Sequence, residues 1–91
     1  MQVIATIKRG NEVVLQNVPV NVYVHTRPSG MKSWDGEFVT DMTTSFSMMD
    51  VGGEYTLVAS DGRSGAIVVD DMTIQSSGAA HVHFGGSGPF K

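Results

Sequence analysis

The stretch that decides the fold runs from Asn17 to His25 and reads Asn-Val-Pro-Val-Asn-Val-Tyr-Val-His. Four valines occupy alternate positions in it, namely Val18, Val20, Val22 and Val24. Successive side chains of a β-strand point to opposite faces, so this spacing places all four valines on one face. A helix would spread them around its circumference, and β-branched residues are poor helix formers. The spacing therefore predicts a strand with one buried face.

Shorter segments on both sides repeat the two-residue period, with turn signals about every ten residues. No window of ten or more residues carries the 3.6-residue apolar stripe of a helix. The inward set is predicted to include Val3, Ala5, Ile7, Trp34, Phe38, Phe46, Met48, Tyr55, Leu57, Ala59, Met72, Val82 and Phe84. A slip of register is predicted at Asp70-Asp71, and a break in the valine strand near residues 17–19, because Pro19 has no amide hydrogen.

The fold class that follows is all-β. We predict a single small antiparallel β-sandwich of about seven short strands, with a small closed β-barrel as the alternative. The chain of 91 residues has the length of one domain. Residues 1–85 are predicted to form that domain and residues 86–91 a flexible tail rich in glycine, serine and proline.

Composition excludes several function classes. The net charge is −3 and only Lys8 and Arg9 are adjacent basic residues, so we expect no nucleic-acid binding and no attraction to an anionic membrane. No run approaches the roughly 20 apolar residues of a membrane span. The N-terminus alternates like a strand rather than a signal peptide, which predicts a cytoplasmic protein, or an extracytoplasmic one if a leader was removed.

No catalytic machinery can be recognised in the sequence. The chain has no cysteine, which removes disulfides, thiolate metal sites and cysteine nucleophiles together. Adjacent carboxylates such as Asp70 and Asp71 point to opposite faces of a strand and can share a site only at a bulge, so we interpret them as a bulge or exposed edge rather than an acid/base pair. Since no nucleophile, base and oxyanion donor can be brought together, the protein is predicted not to be an enzyme.

The sharpest local motif is His81-Val82-His83. Two residues apart in a strand, the histidines share one face about 6 to 7 Å apart, a spacing that can place both on one zinc or copper ion. A third ligand would come from His25, Asp70 or Asp71, or from methionine if the metal is soft (Met42, Met48, Met49). The alternative is that both histidines simply occupy the solvent face of a strand.

Apolar residues in the minority register offer a candidate interface. If the majority register forms the core, the residues left outside it are Ile4, Val14, Tyr23, Val39, Met49 and Val58. Charged residues make up only 16% of the chain, so these side chains can form an apolar patch of the kind that marks contact sites. The predicted role is a non-enzymatic interaction module that forms a homo-oligomer or binds a protein partner. A small metal- or ligand-binding protein is the alternative.

Several of these segments also resemble a known family. They are the first strand with its turn at Gly10, the alternating valines, Thr40-Asp41 followed by Phe46, and Gly53-Glu54-Tyr55-Thr56-Leu57. Together they resemble the carboxypeptidase regulatory-like domain over residues 1–60. That family has a prealbumin-like (transthyretin-like) β-sandwich of about seven strands. The resemblance implies an accessory or binding role with no active site.

Overall fold

A computed structural model of the protein describes residues 1–41 and 51–91. It contains six strands in this part of the chain: β1 (Gln2–Arg9), β2 (Glu12–Thr26), β3 (Lys32–Asp41), β4 (Glu54–Ala59), β5 (Ser64–Ile74) and β6 (Ala79–Gly86). The strand predicted around Phe46 and Met48 lies outside the described residues. Among the residues described, no helix has the length and hydropathy needed to cross a membrane.

The strands close into an antiparallel barrel. Their order is β1-β2-β3-β6-β5-β4, and β4 pairs back onto β1. The all-β prediction is confirmed, and the architecture is the closed barrel that was the stated alternative to the sandwich. Closure pairs the backbone groups that two open sheets would leave at their edge strands.

The valine face forms one wall of the barrel interior. Val18, Val20 and Val22 are buried as predicted. Val24 lies on the same side but is 53% exposed, because it pairs with Trp34 at the end of the barrel, where the wall borders a cleft instead of the core. The alternation thus continues past the point where the core ends.

A break was predicted near residues 17–19, but β2 continues through these residues and carries a bulge there instead. Ala5 pairs with Val18 and Ile7 with Leu15, so one residue of β1 faces two of β2 between those pairs. Asn17 takes up the extra residue at φ 56°, in the left-handed region that asparagine tolerates better than most residues.

A second register shift follows next to Val14. Ile7 pairs with Leu15 and Lys8 with Val13, so Val14 is the unpaired residue between them. Val14 and Leu15 are both buried. The outward position predicted for Val14 is therefore wrong, because the bulge breaks the simple alternation on which that prediction depended.

Aromatic rings fill the interior around Phe84, which is fully buried. Its ring centroid lies 6.2 Å from that of Phe38 and 5.9 Å from that of Trp34, the second pair packing edge to face. Gly36 makes room for the ring, since a Cβ there would lie 2.6 Å from Phe84 Cζ. The predicted slip of register falls between Val69 and Asp71, as expected.

Candidate functional site

The two histidines of β6 point outward, as predicted, and each meets a carboxylate on a neighbouring strand. His81 Nε2 lies 3.2 Å from Glu37 Oε2. His83 lies between two carboxylates, with Nδ1 2.6 Å from Asp70 Oδ1 and Nε2 3.2 Å from Asp35 Oδ2. A neutral imidazole has one N–H, so both contacts can be hydrogen bonds donated by His83 only when it is protonated.

The network continues onto β2. His25 Nε2 lies 2.7 Å from Asp35 Oδ1, and the Tyr23 hydroxyl donates to Glu37 Oε1 at 3.3 Å. We call the whole set the outer ladder. It consists of Tyr23, His25, Asp35, Glu37, Asp70, His81 and His83 and crosses strands β2, β3, β6 and β5.

Two pKa values in the outer ladder are raised above their ordinary values. The hydrogen bond with Asp70 is the main cause that raises the pKa of His83, and Asp35 adds to it. Partial desolvation, followed by the negative charge of Glu37, raises the pKa of Tyr23. The ladder thus favours a protonated His83 and a neutral Tyr23 hydroxyl.

Among the described residues, the structure shows no third ligand that would complete a zinc or copper site with His81 and His83. There, no group of three or more histidine, cysteine, aspartate or glutamate side chains is arranged to hold a metal. Asp70, one of the candidate ligands, is already bonded to His83. A metal on His83 would have to displace a carboxylate. The methionines suggested as soft ligands, Met42, Met48 and Met49, lie outside the described residues.

The predicted interface residues are only partly brought together. Ile4, Tyr23 and Val39 are exposed, at 42%, 43% and 50%. Val58 is half-buried, Val14 is buried, and Met49 lies outside the described residues. Ile4 pairs with Pro19, which lines a shallow groove of about 240 Å³ together with Val39. Ile4, Pro19 and Val39 therefore form an apolar strip on the outer face.

A second feature was not predicted: a cleft of about 570 Å³ at one end of the barrel. It lies between the β2–β3 hairpin and the C-terminal segment. The residues lining it are Val24, Lys32, Ser33, Trp34, Arg63, Gly86, Gly88, Pro89, Phe90 and Lys91. We call it the end cleft.

Trp34 is the central side chain of the end cleft, and two glycines give it space. A Cβ on Gly65 would lie 2.7 Å from Trp34 Cζ2, and one on Gly86 would overlap the indole ring. The indole N–H donates to the Gly88 carbonyl at 2.7 Å. Trp34 was predicted to be a core residue, and it is buried. It belongs to the core and to the cleft at once.

The C-terminal segment forms the opposite side of the end cleft. Ser87 N–H donates to Ala66 O at 2.8 Å, and Ser64 and Lys91 exchange two backbone hydrogen bonds of 2.7 and 3.0 Å. Phe90 stacks on Trp34 with ring centroids 4.9 Å apart. These contacts hold residues 87–91 along β5. The flexibility predicted for residues 86–91 stays a prediction, which a measurement of motion would test.

The charged groups around the end cleft are basic. Lys32, Arg63 and Lys91 line it, three of the six lysines and arginines in the chain, and no aspartate or glutamate is among its lining residues. The Arg63 guanidinium lies 4.9 Å from the Phe90 ring centroid and 2.7 Å from Asp61. Hydrogen bonds from Arg63 lower the pKa of Asp61. Within residues 1–41 and 51–91, neither lysine forms a salt bridge.

The end cleft carries a sequence signal that alternation does not detect. Gly86 ends the last strand, and an aromatic residue, Phe90, follows directly after Pro89. Glycine at a strand end leaves space for a ring from a neighbouring strand. An aromatic residue in a glycine-rich tail therefore indicates docking back onto the domain.

Comparison with known proteins identifies no relative. No protein-family model matches the chain, and no curated protein and no solved structure matches it either. The resemblance to the carboxypeptidase regulatory-like domain stays a prediction.

Proposed function

We propose that this protein is a non-catalytic binding module that holds a small, partly apolar ligand in the end cleft. The observation that carries the proposal is the stack of Trp34 and Phe90 beside a cleft of about 570 Å³. That volume falls inside the range of roughly 300–1,000 Å³ typical of small-molecule sites.

The walls of the end cleft suit an apolar ligand. Val24, Pro89 and Phe90 line it beside the indole of Trp34. Aromatic walls bury a large area of ligand and lose little side-chain entropy, since each ring has only two rotatable bonds. Trp34 is already fixed by its hydrogen bond to Gly88 and by Phe90. A fixed wall lowers the cost of ordering the site when a ligand binds.

Support for a non-catalytic role comes from the same lining residues. None of them is a histidine, aspartate or glutamate, the residue types that most often act as general bases. The histidines of the described chain lie in the outer ladder, where each of them faces a carboxylate. The end cleft therefore has binding groups without a base placed to activate a nucleophile.

A neutral fluorescent probe tests the proposal. N-phenyl-1-naphthylamine is aromatic, uncharged and brighter in apolar surroundings. We expect saturable binding by the wild-type protein, with energy transfer from Trp34, the single tryptophan of the chain. Phe90→Ala removes one aromatic wall and should weaken binding by about tenfold, the effect of losing roughly 1.4 kcal/mol.

The matched control is Tyr23→Ala. It removes an exposed ring of the outer ladder and should leave the affinity for the probe unchanged. Absence of saturable binding by the folded wild type would refute the proposal. So would equal affinities for the wild type and Phe90→Ala.

A second candidate function is self-association through the apolar strip Ile4, Pro19 and Val39. Its support is the exposure of Ile4 and Val39 next to a shallow groove on a closed barrel. We expect sedimentation velocity at high micromolar concentration to show a dimer that Val39→Asp dissociates. Val13→Asp, at another exposed valine, is the control. A wild-type protein that stays monomeric throughout removes this candidate.

A further inference from the structure

We infer that the end cleft selects an aromatic ligand that carries one anionic oxygen group, such as a carboxylate or sulfonate, and that Lys32 binds this group. The inference rests on the proposed function of the cleft and names the chemical class of its ligand. It depends on charge as well as shape, because the charged side chains around the cleft are positive and the net charge of the chain is negative.

The net charge of the protein is −3, yet every charged side chain that lines the end cleft is positive. Of these, Arg63 is compensated by Asp61, whose carboxylate lies 2.7 Å from it. The ammonium groups of Lys32 and Lys91 have no such partner in the described part of the chain. A ligand that brings one negative charge would supply it.

The two lysines stand on opposite sides of the end cleft. The backbone oxygen of Lys91 accepts a hydrogen bond from Ser64 N–H at 2.7 Å, so its carboxyl end lies against β5. Lys32 begins β3 and pairs with Thr26, so its backbone is fixed in the barrel wall on the β2–β3 side of the cleft.

This arrangement orients the ligand. Its aromatic part packs near Trp34 and Phe90, and its anionic group extends along the β2–β3 side toward Lys32. The end cleft is open to solvent, so salt weakens the attraction, and a single exposed cation changes affinity by about tenfold at most.

Two dyes with the same aromatic body test the inference. 1-Anilinonaphthalene-8-sulfonate carries a sulfonate that N-phenyl-1-naphthylamine lacks. For the wild type at low salt, we expect the sulfonate dye to bind about five- to tenfold more tightly than the neutral dye. Lys32→Gln should remove most of that preference, and the affinity for the neutral dye should stay the same.

Lys8→Gln is the matched control, because it removes one lysine that is not among the lining residues of the end cleft. It should leave both affinities unchanged. Far-ultraviolet circular dichroism of each variant checks that dye binding reports the folded barrel.

The outcomes separate the two proposals. If both dyes bind equally, or if Lys32→Gln weakens both alike, the anion preference is refuted and the binding cleft stands. If Lys8→Gln lowers the sulfonate affinity as much as Lys32→Gln does, the effect is one of net charge and the role of Lys32 is refuted. If neither dye binds the wild type, the proposed function fails, and the inference fails with it.

Discussion

The outer ladder and the end cleft place charged groups on two surfaces of the same small barrel, and they use them in opposite ways. In the outer ladder, His81 faces Glu37, and His83 lies between Asp35 and Asp70. Each of these side chains has a partner on another strand. In the end cleft, Lys32 has no acidic partner among the described residues, and aromatic rings take the place of carboxylates.

The difference shows which side chains are free to bind a ligand without losing an existing contact. A histidine held by two carboxylates gains little from a new ligand, since binding would first break an existing contact. Lys32, beside the half-buried ring of Phe90, would give up only water when it binds a ligand. The histidines of the His81-Val82-His83 motif therefore already have carboxylate partners, and the binding site that we propose lies at the glycine-rich end of the chain.

The largest effect that separates the two regions is expected from two adjacent glycines. A Cβ on Gly86 would overlap the indole of Trp34, whereas the nearest atom to a Cβ on Gly85 is Asp70 Oδ2 at 3.9 Å. Gly86→Ala should therefore lower the free energy of unfolding by about 1–3 kcal/mol, the usual cost of overpacking. Urea denaturation followed by circular dichroism measures it.

Gly85→Ala is the control, with a Cβ directed at the outer ladder and in ordinary contact distance. We expect its free energy of unfolding to lie within about 0.5 kcal/mol of the wild type. Equal losses in the two variants would contradict the placement of Trp34 across Gly86.

An intermediate effect is expected from the ring that covers Trp34. Phe90→Ala removes the stacked partner at 4.9 Å and should cost about 1 kcal/mol of stability. The emission of Trp34 should shift to longer wavelength, and acrylamide should quench it more strongly, because the indole gains contact with water. If the variant and the wild type show the same emission and quenching, the C-terminal segment does not dock on the barrel in solution.

The smallest effect concerns the pH dependence of the outer ladder. The pKa of His83 is raised above its ordinary value of 6.5, chiefly by Asp70, so the folded state favours the protonated ring. The resulting stabilisation is complete below pH 6.5 and is lost as the pH rises through the raised pKa. About a third of the side chain is exposed, so we expect less than about 1 kcal/mol.

Thermal unfolding of His83→Gln and the wild type at several pH values checks this. The variant should be less stable than the wild type at pH 5.5, and the difference should shrink by pH 9. His25→Gln, which removes a more exposed ring with a single carboxylate partner, should show a smaller change. A difference that grows with pH would have the wrong sign for a protonated His83.

Local alternation predicted much of the barrel wall, because the pleat of a strand is a property of neighbouring residues. Val20, Leu57, Val82 and Phe84 are buried as that pattern requires. Closure was harder to predict. It depends on the pairing of β3 with β6 and of β1 with β4, which lie far apart in sequence and carry no signal that alternation can detect. The bulge that buries Val14 was missed for a related reason, since it depends on how β1 and β2 pair.

The candidate site, like the fold, could be predicted only in part. The outward direction of His81 and His83 was predicted from their spacing, and Asp70 was named as a group that could join them. Glu37 and Asp35 were not named, since they come from another strand. The end cleft was missed altogether. It needs the tail to return to β5, and a segment of glycine, serine and proline was predicted to be mobile.

Closure of the barrel also determines where the barrel opens when it unfolds locally. The contact between β1 and β4 extends over four residue pairs, from Ala5–Ala59 to Lys8–Thr56, whereas β2 and β3 share seven. β4 and β5 share five, so both contacts of β4 are short. Fluctuations that open the barrel should begin there, so the amide protons of β4 should exchange with solvent before those of β2, β3 and β6.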